Sequence, residues 1–275
     1  MILTNKTFLI TGIADEHSLA MYVAKAIIAE GGKVICTGLG VSPFHQNLSE
    51  RAKSYLNKTF DDFKDSIKTH LGSKASVEIL DVTLDENLKY FAKNLLKNKI
   101  NIDGVLHAVA MDKTIRNKKV KPLLEVSFDE FCGTMAVSAF SLIRLTNSLF
   151  KSKVLNAGAS ICALSYIAAE KVTFHPYRNM SIAKAALERI VIELADEMGR
   201  KNGTRVNAIR FSTYLGSKAG AATLTEEDVS TSDRISPLGN ATPIDLANEV
   251  VHLFRPDSRI TGEIRHVDGG YHIMG

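Results

Sequence analysis

The stretch YIAAEKVTFHPYRNMSIAK sets two tyrosines, Tyr166 and Tyr177, upstream of one lysine, Lys184. Tyr177 precedes the lysine by seven positions. That is about two helical turns, so the pair shares one face if a helix has begun by Tyr177. An ammonium beside a phenol favours the phenolate and lowers a pKa that is about 10 in the free side chain. Such a pair delivers a proton to an oxygen while a hydride arrives elsewhere on the same substrate. The same spacing also fits an ordinary loop tyrosine followed by a surface lysine, and the elements that carry the residues decide between the two.

Seven short apolar runs are strand candidates: TFLIT, KVICT, SVEIL, DGVLHAVA, ASICALS, TRVNAIR and EIRHV. Helical patterns lie between them near 18–30, 48–71, 84–98, 127–150, 177–201 and 243–254. Ser127 with Glu130 has capping-box spacing, and Thr242 before Pro243 reads as an N-cap followed by proline at the first helical position. Strands apolar on both faces and alternating with helices belong in a covered parallel sheet. The expected fold is α/β: a single doubly wound, Rossmann-like domain over residues 1–275 with a seven-stranded parallel sheet. Tyr177 and Lys184 then follow the fifth strand, which favours the chemical reading.

Ligands of such sheets sit at the carboxyl ends of the strands. After the first strand the chain reads TGIADEHSLA, where Gly12 permits a tight turn. Ser18, Leu19 and the free amides there form a helix N-terminus able to receive a pyrophosphate. The third strand ends at Leu80-Asp81-Val82, where Asp81 either accepts from an adenine amino group or caps the next helix. The fourth ends in His107-Ala108-Val109-Ala110, small residues that let a flat ring lie against the backbone around Val109. The second ends at Cys36-Thr37-Gly38-Leu39, with no carboxylate to exclude a 2′-phosphate and no Arg or Lys before Arg51 to hold one. NADH is therefore expected to be favoured modestly over NADPH, unless the long segment beyond Gly38 folds back and brings Lys53 or Lys58 to the ribose.

The chain is 275 residues long, 45% hydrophobic, with a net charge of +4. That charge is too mild and too dispersed for nucleic-acid binding, and the densest basic run, Lys118 to Lys121, reads as a solvated loop. No apolar run has the length of a membrane span, and an apolar strand so near the first residue leaves no room for a leader. Cys36, Cys132 and Cys162 lack metal-ligand spacing, so no metal is expected, and they read as buried thiols of a cytoplasmic protein.

Four segments together carry a family resemblance: TGIADEHSLA in place of the usual glycine motif, LSYIAAEK followed by Y-x6-K and MSIAKAALE, ISPLGNATPIDLANEV, and GEIRHVDGGYHIMG. Over nearly its whole length the chain resembles the bacterial enoyl-[acyl-carrier-protein] reductases of fatty acid synthesis, within the short-chain dehydrogenase/reductase superfamily. The resemblance implies that Tyr177 hydrogen-bonds the thioester oxygen of the substrate and that Lys184 holds the nicotinamide ribose. It also implies that Tyr166 lines the substrate pocket, and that the partners are an enoyl chain on acyl carrier protein and further copies of the chain in a homotetramer. The apolar DGGYHIMG segment reads as a subunit contact.

Four departures from the family pattern surround this site. Tyr166 to Tyr177 spans eleven positions where the family has ten, so the FHP segment displaces one of them. The family's S-A-G-P-I-R-T after the sixth strand is replaced by Arg210 to Gly216, which leaves Thr213 or Ser217 to supply the lost hydroxyl. S-I-G-F becomes Ala108 to Met111, and the segment from Gly38 to Thr69 is longer. Two alternatives follow: a carbonyl reductase using Ser165, Tyr177 and Lys184, and a non-catalytic dinucleotide-binding paralogue.

Overall fold

The computed structural model describes residues 1–274. Seven parallel strands form one sheet: β1 Thr7–Ile10, β2 Lys33–Gly38, β3 Ala75–Ile79, β4 Ile102–His107, β5 Leu155–Ser165, β6 Arg205–Phe211 and β7 Ile264–Val267. Their order across the sheet is β3-β2-β1-β4-β5-β6-β7, so the winding reverses between β1 and β4. Each of the seven apolar runs became one of these strands. The reason is visible in β1, where Phe8 and Ile10 enter the core on one face and Leu9 the core on the other. A strand covered on both sides has no polar face to alternate with.

Helices α1 Leu19–Ala29, α2 Glu50–Leu71 and, at the far end of the chain, α9 Pro243–Phe254 cover the first face. On the other lie α3 Asp85–Lys97, the broken helix α4 Phe128–Met135 with α5 Ser141–Lys151, and α6 Arg178–Asn202. Ala20, Val23, Ala24 and Ile27 make the buried stripe of α1 at helical spacing. Phe8 stacks on Phe254 with ring centroids 5.0 Å apart, and only a glycine at position 104 leaves room for that ring: a Cβ there would lie 2.7 Å from Phe8. Both expected caps form, the capping box of Ser127 and Glu130 and that of Thr242 and Asp245 with Pro243 in the first turn.

Three expectations need correction. The expected 127–150 helix is interrupted at Ala136–Phe140 by a π-helical segment, whose extra residue re-aims Ser138 and Ser141. Ser138 Oγ accepts from the Met111 amide at 3.0 Å and Ser141 Oγ meets His107 Nε2 at 2.7 Å, so the bulge braces the end of β4. The basic run at 118–121 is a small antiparallel hairpin, Ile115–Arg116 with Lys119–Val120, turned by Asn117 and Lys118 in left-handed conformations. Cys132 is exposed on α4, unlike the buried Cys36 and Cys162. Two short helices follow β6, α7 Lys218–Thr223 and α8 Glu226–Ile235. No helix among the described residues is long and apolar enough to cross a membrane.

Candidate active site

A cavity of about 600 Å³ opens at the carboxyl ends of the strands, over the reversal point between β1 and β4. The expected catalytic and cofactor-binding residues line it: Gly12, Ser18 and Leu19 after β1, Leu39 after β2, Asp81 and Val82 after β3, Val109 after β4, and Tyr166, Tyr177 and Lys184 beyond β5. Gly12 has φ +83, and a Cβ on it would lie 2.2 Å from the Ala108 carbonyl oxygen. The β1 turn and the end of β4 therefore touch through their backbones, as a flat cofactor slot requires. Gly12→Ala is expected to weaken NADH binding at least tenfold, read by nicotinamide fluorescence, because the added methyl must push these two walls apart.

Several roles differ from their sequence expectation. Ser18 holds the N-cap position of α1, but its Oγ accepts from the Ala14 and Asp15 amides at 3.0 Å and shapes the turn. The first amides of α1, beginning at Leu19, remain free of helical partners. Asp81 does not cap α3, whose N-cap is Leu84. Its Oδ1 accepts from the amide and hydroxyl of Thr83, and its Oδ2 lies 3.2 Å from His45 Nε2, a residue of the long segment after β2. Leu39, 47% exposed, lines the end of the cavity beyond β2 and carries no charge. Lys53 and Lys58 are absent from the lining, and the Lys53 ammonium is paired with Glu50 at 2.7 Å.

Tyr177 lies outside the helix, at the N-cap of α6, and Arg178 follows it with a strained φ of +40. The expected phenolate does not form. Burial, helped by the charge of Asp112, pushes the Tyr177 phenol up to about 12, so it stays protonated. Lys184 turns toward β5 and donates to the Leu164 carbonyl at 2.8 Å. Burial brings that lysine, only 6% exposed, down to about 8, against the opposing attraction of Glu188. Tyr166 packs edge-on against Tyr177 with centroids 5.6 Å apart, and its hydroxyl lies 3.2 Å from Thr213 Oγ1. Burial raises its pKa as well.

Ser165 lines the same cavity, yet its hydroxyl is committed elsewhere. Its Oγ donates to Glu188 Oε1 at 2.6 Å, and Arg210 grips both oxygens of that carboxylate at 2.8 and 2.6 Å.

Two cavity residues escaped the sequence reading. The loop after β6 folds back over the β1 turn, where Tyr214 donates to the His17 carbonyl at 3.1 Å and Lys218 Nζ to the Ala14 carbonyl at 3.0 Å. Both suggested hydroxyls have partners: Ser217 caps α7 by accepting from the Gly220 amide, and Thr213 meets Tyr166. Lys218 is the cation that this loop brings to the turn after β1. The other residue is His175, whose ring packs against both tyrosines.

A reversing parallel sheet, a glycine turn before a free helix N-terminus, and a phenol and lysine after β5 define a dinucleotide-dependent reductase of the short-chain type. The model of the family described as Enoyl-(Acyl carrier protein) reductase matches residues 12–272, and the chain belongs to that family. The enoyl-[acyl-carrier-protein] reductase [NADH] of Aquifex aeolicus is 34% identical over 276 aligned positions, covering 100% of this chain and 94% of that protein. The corresponding protein of Bacillus cereus is 31% identical over the whole of this chain and 99% of its own length. Among solved structures, the Bacillus cereus reductase with NADP+ and indole naphthyridinone superimposes with a TM-score of 0.84 at 29% identity, covering 100% of this chain and 99% of that one. The Aquifex aeolicus structure gives 0.82 at 33%, with the same coverage.

Proposed function

We propose that this protein reduces the trans-2 double bond of enoyl chains carried on acyl carrier protein, in fatty acid biosynthesis, using NADH. The observation that carries the reading is the cavity that joins the Gly12 turn to a protonated Tyr177, with the buried Lys184 in the same lining. NADH, when bound, supplies a hydride to the β-carbon of the substrate. The double-bond electrons then move onto the thioester oxygen, and the α-carbon takes a proton from solvent. Tyr177 donates its O–H to that oxygen as charge develops. Lys184 holds the ribose hydroxyls and adds positive charge. Gly12, Ser18, Leu19 and Lys218 seat the pyrophosphate, and Leu39, Asp81, Val82 and Val109 line the adenosine and nicotinamide contacts.

The engaged Ser165 argues against a carbonyl reductase. A hydroxyl locked into a carboxylate already gripped by arginine is not available to a ketone oxygen. Loss of nicotinamide absorbance with crotonyl-coenzyme A, run beside a simple ketone, tests both readings at once. Turnover of the ketone alone would overturn the assignment, and tight NADH binding without any turnover would identify a non-catalytic paralogue.

The whole chain, residues 1–275, acts in this reading as one reductase domain in the cytoplasm. Homotetramer formation is supported by exposed apolar side chains before and along the broken helix, Leu124, Phe128 and Phe140 among them, and by Ile273 and Met274. A monomeric mass at micromolar concentration would refute it.

The absence of any cation at the Leu39 end favours NADH over NADPH. A kcat/KM preference for NADPH of about tenfold, or about 1.4 kcal/mol, would contradict this. Lys218→Gln is expected to raise the NADH dissociation constant by up to about fivefold, the upper end for an exposed ion pair, and to flatten its salt dependence. A salt dependence equal to that of the wild type would remove Lys218 from the pyrophosphate.

A further inference from the structure

His175 is 4% exposed and lines the cavity between the two tyrosines, with its ring centroid 5.5 Å from that of Tyr166 and 6.2 Å from that of Tyr177. Its backbone is pinned, since Thr173 Oγ1 donates to the His175 carbonyl at 2.7 Å, and Phe174 packs edge-on against the ring. The ring itself has no hydrogen-bond partner among the described residues. Nδ1 is sealed and unpaired, and Nε2 is unpaired without being sealed. Burial lowers the imidazole pKa, so near neutral pH the ring carries one donor and one acceptor. A buried polar group without a partner is costly, and a native structure that keeps one has a use for it. Because Nδ1 is closed off, a ligand in the cavity meets only Nε2, and an oxygen acceptor selects the tautomer that carries its proton there.

The thioester oxygen is the substrate acceptor nearest this cluster in the proposed reaction, and a carbonyl oxygen takes two donors. Tyr177 supplies one. The Tyr166 hydroxyl already has a partner in Thr213 Oγ1 at 3.2 Å, whereas the imidazole has none among the described residues. We infer that His175 Nε2–H is a second hydrogen-bond donor to the thioester oxygen, completing with Tyr177 a two-donor site for the negative charge that develops there.

This inference rests on the enoyl reductase reading, and its test separates the two. Wild type, His175→Phe and His175→Gln are compared with NADH and crotonyl-coenzyme A, alongside NADH dissociation constants from fluorescence. The expected result is a kcat lower by roughly tenfold to a hundredfold in His175→Phe, at or below the usual cost of one lost oxyanion donor. NADH affinity should stay within about twofold, and His175→Gln, which keeps an N–H at similar reach, should recover much of the rate. A merely structural role would weaken NADH binding in both variants and would not be rescued by glutamine. Wild-type turnover with an unchanged kcat in His175→Phe, or a change confined to KM, overturns the inference and spares the reductase reading. A wild type inert toward the thioester overturns both.

Discussion

Tyr177→Phe is expected to lower kcat for crotonyl-coenzyme A by about a hundredfold to a thousandfold while changing NADH affinity less than about twofold. The phenyl ring keeps its edge-on contact with Tyr166, so the substitution removes little beyond the O–H. That O–H matters because the site is buried and its donor is already in place before charge appears on the substrate. The phenol is held at about 12, so its proton stays in place at neutral pH and well above it. An alkaline fall in rate is therefore expected to follow another group of the cavity, and burial brings Lys184 down to about 8. The check is the pair of single variants: a silent Tyr177→Phe beside an inactive Tyr166→Phe would exchange the two roles.

The strands and their order were legible because burial on both faces leaves an uninterrupted apolar run, and such runs separated by helices admit few topologies. Gly12, Leu39 and Val109 were legible for a related reason: the ends of parallel strands converge, so a position at a strand end already specifies a place in the cavity. What failed depends on side chains meeting from distant segments. The phenolate was inferred from spacing, but helix α6 starts one residue too late to carry Tyr177 on its face. The Asp81 carboxylate does not cap α3; it lines the cavity and also holds Thr83 and, 36 residues away, His45. Lys218 lies 204 residues from Ala14, and no periodicity announces that the loop after β6 will lay it there. His175 was visible as part of an insertion, yet whether an inserted ring points outward or into a cavity is decided by the rings already present.

Lys184→Met is expected to abolish most activity and, at the same time, to raise the melting temperature of the cofactor-free protein near pH 7. The ordinary lysine pKa is 10.5, and burial brings this one to about 8, so the folded protein disfavours the charged form that the unfolded chain prefers. A gap of that size corresponds to about 3 kcal/mol. The cost is fully present below the folded value of about 8 and is relieved as pH rises toward 10.5, because across that interval the unfolded chain binds more protons. Methionine fills a similar volume without charge. Its substitution gives up the hydrogen bond to the Leu164 carbonyl, a loss of about 1 kcal/mol. It strands no anion, since both oxygens of Glu188 are already held by Arg210. The net gain of about 2 kcal/mol should appear as a few degrees in a chain of this size. Thermal melts of the two proteins from near neutrality to pH 10.5 provide the check, with the difference expected to shrink across the upper part of that range. A variant that melts lower than wild type near pH 7, or a difference that does not change with pH, would show that the lysine is comfortably charged in its pocket. The predicted result instead identifies Lys184 as a group kept against the stability of the empty fold, a cost that bound cofactor offsets by bringing ribose hydroxyls to the ammonium.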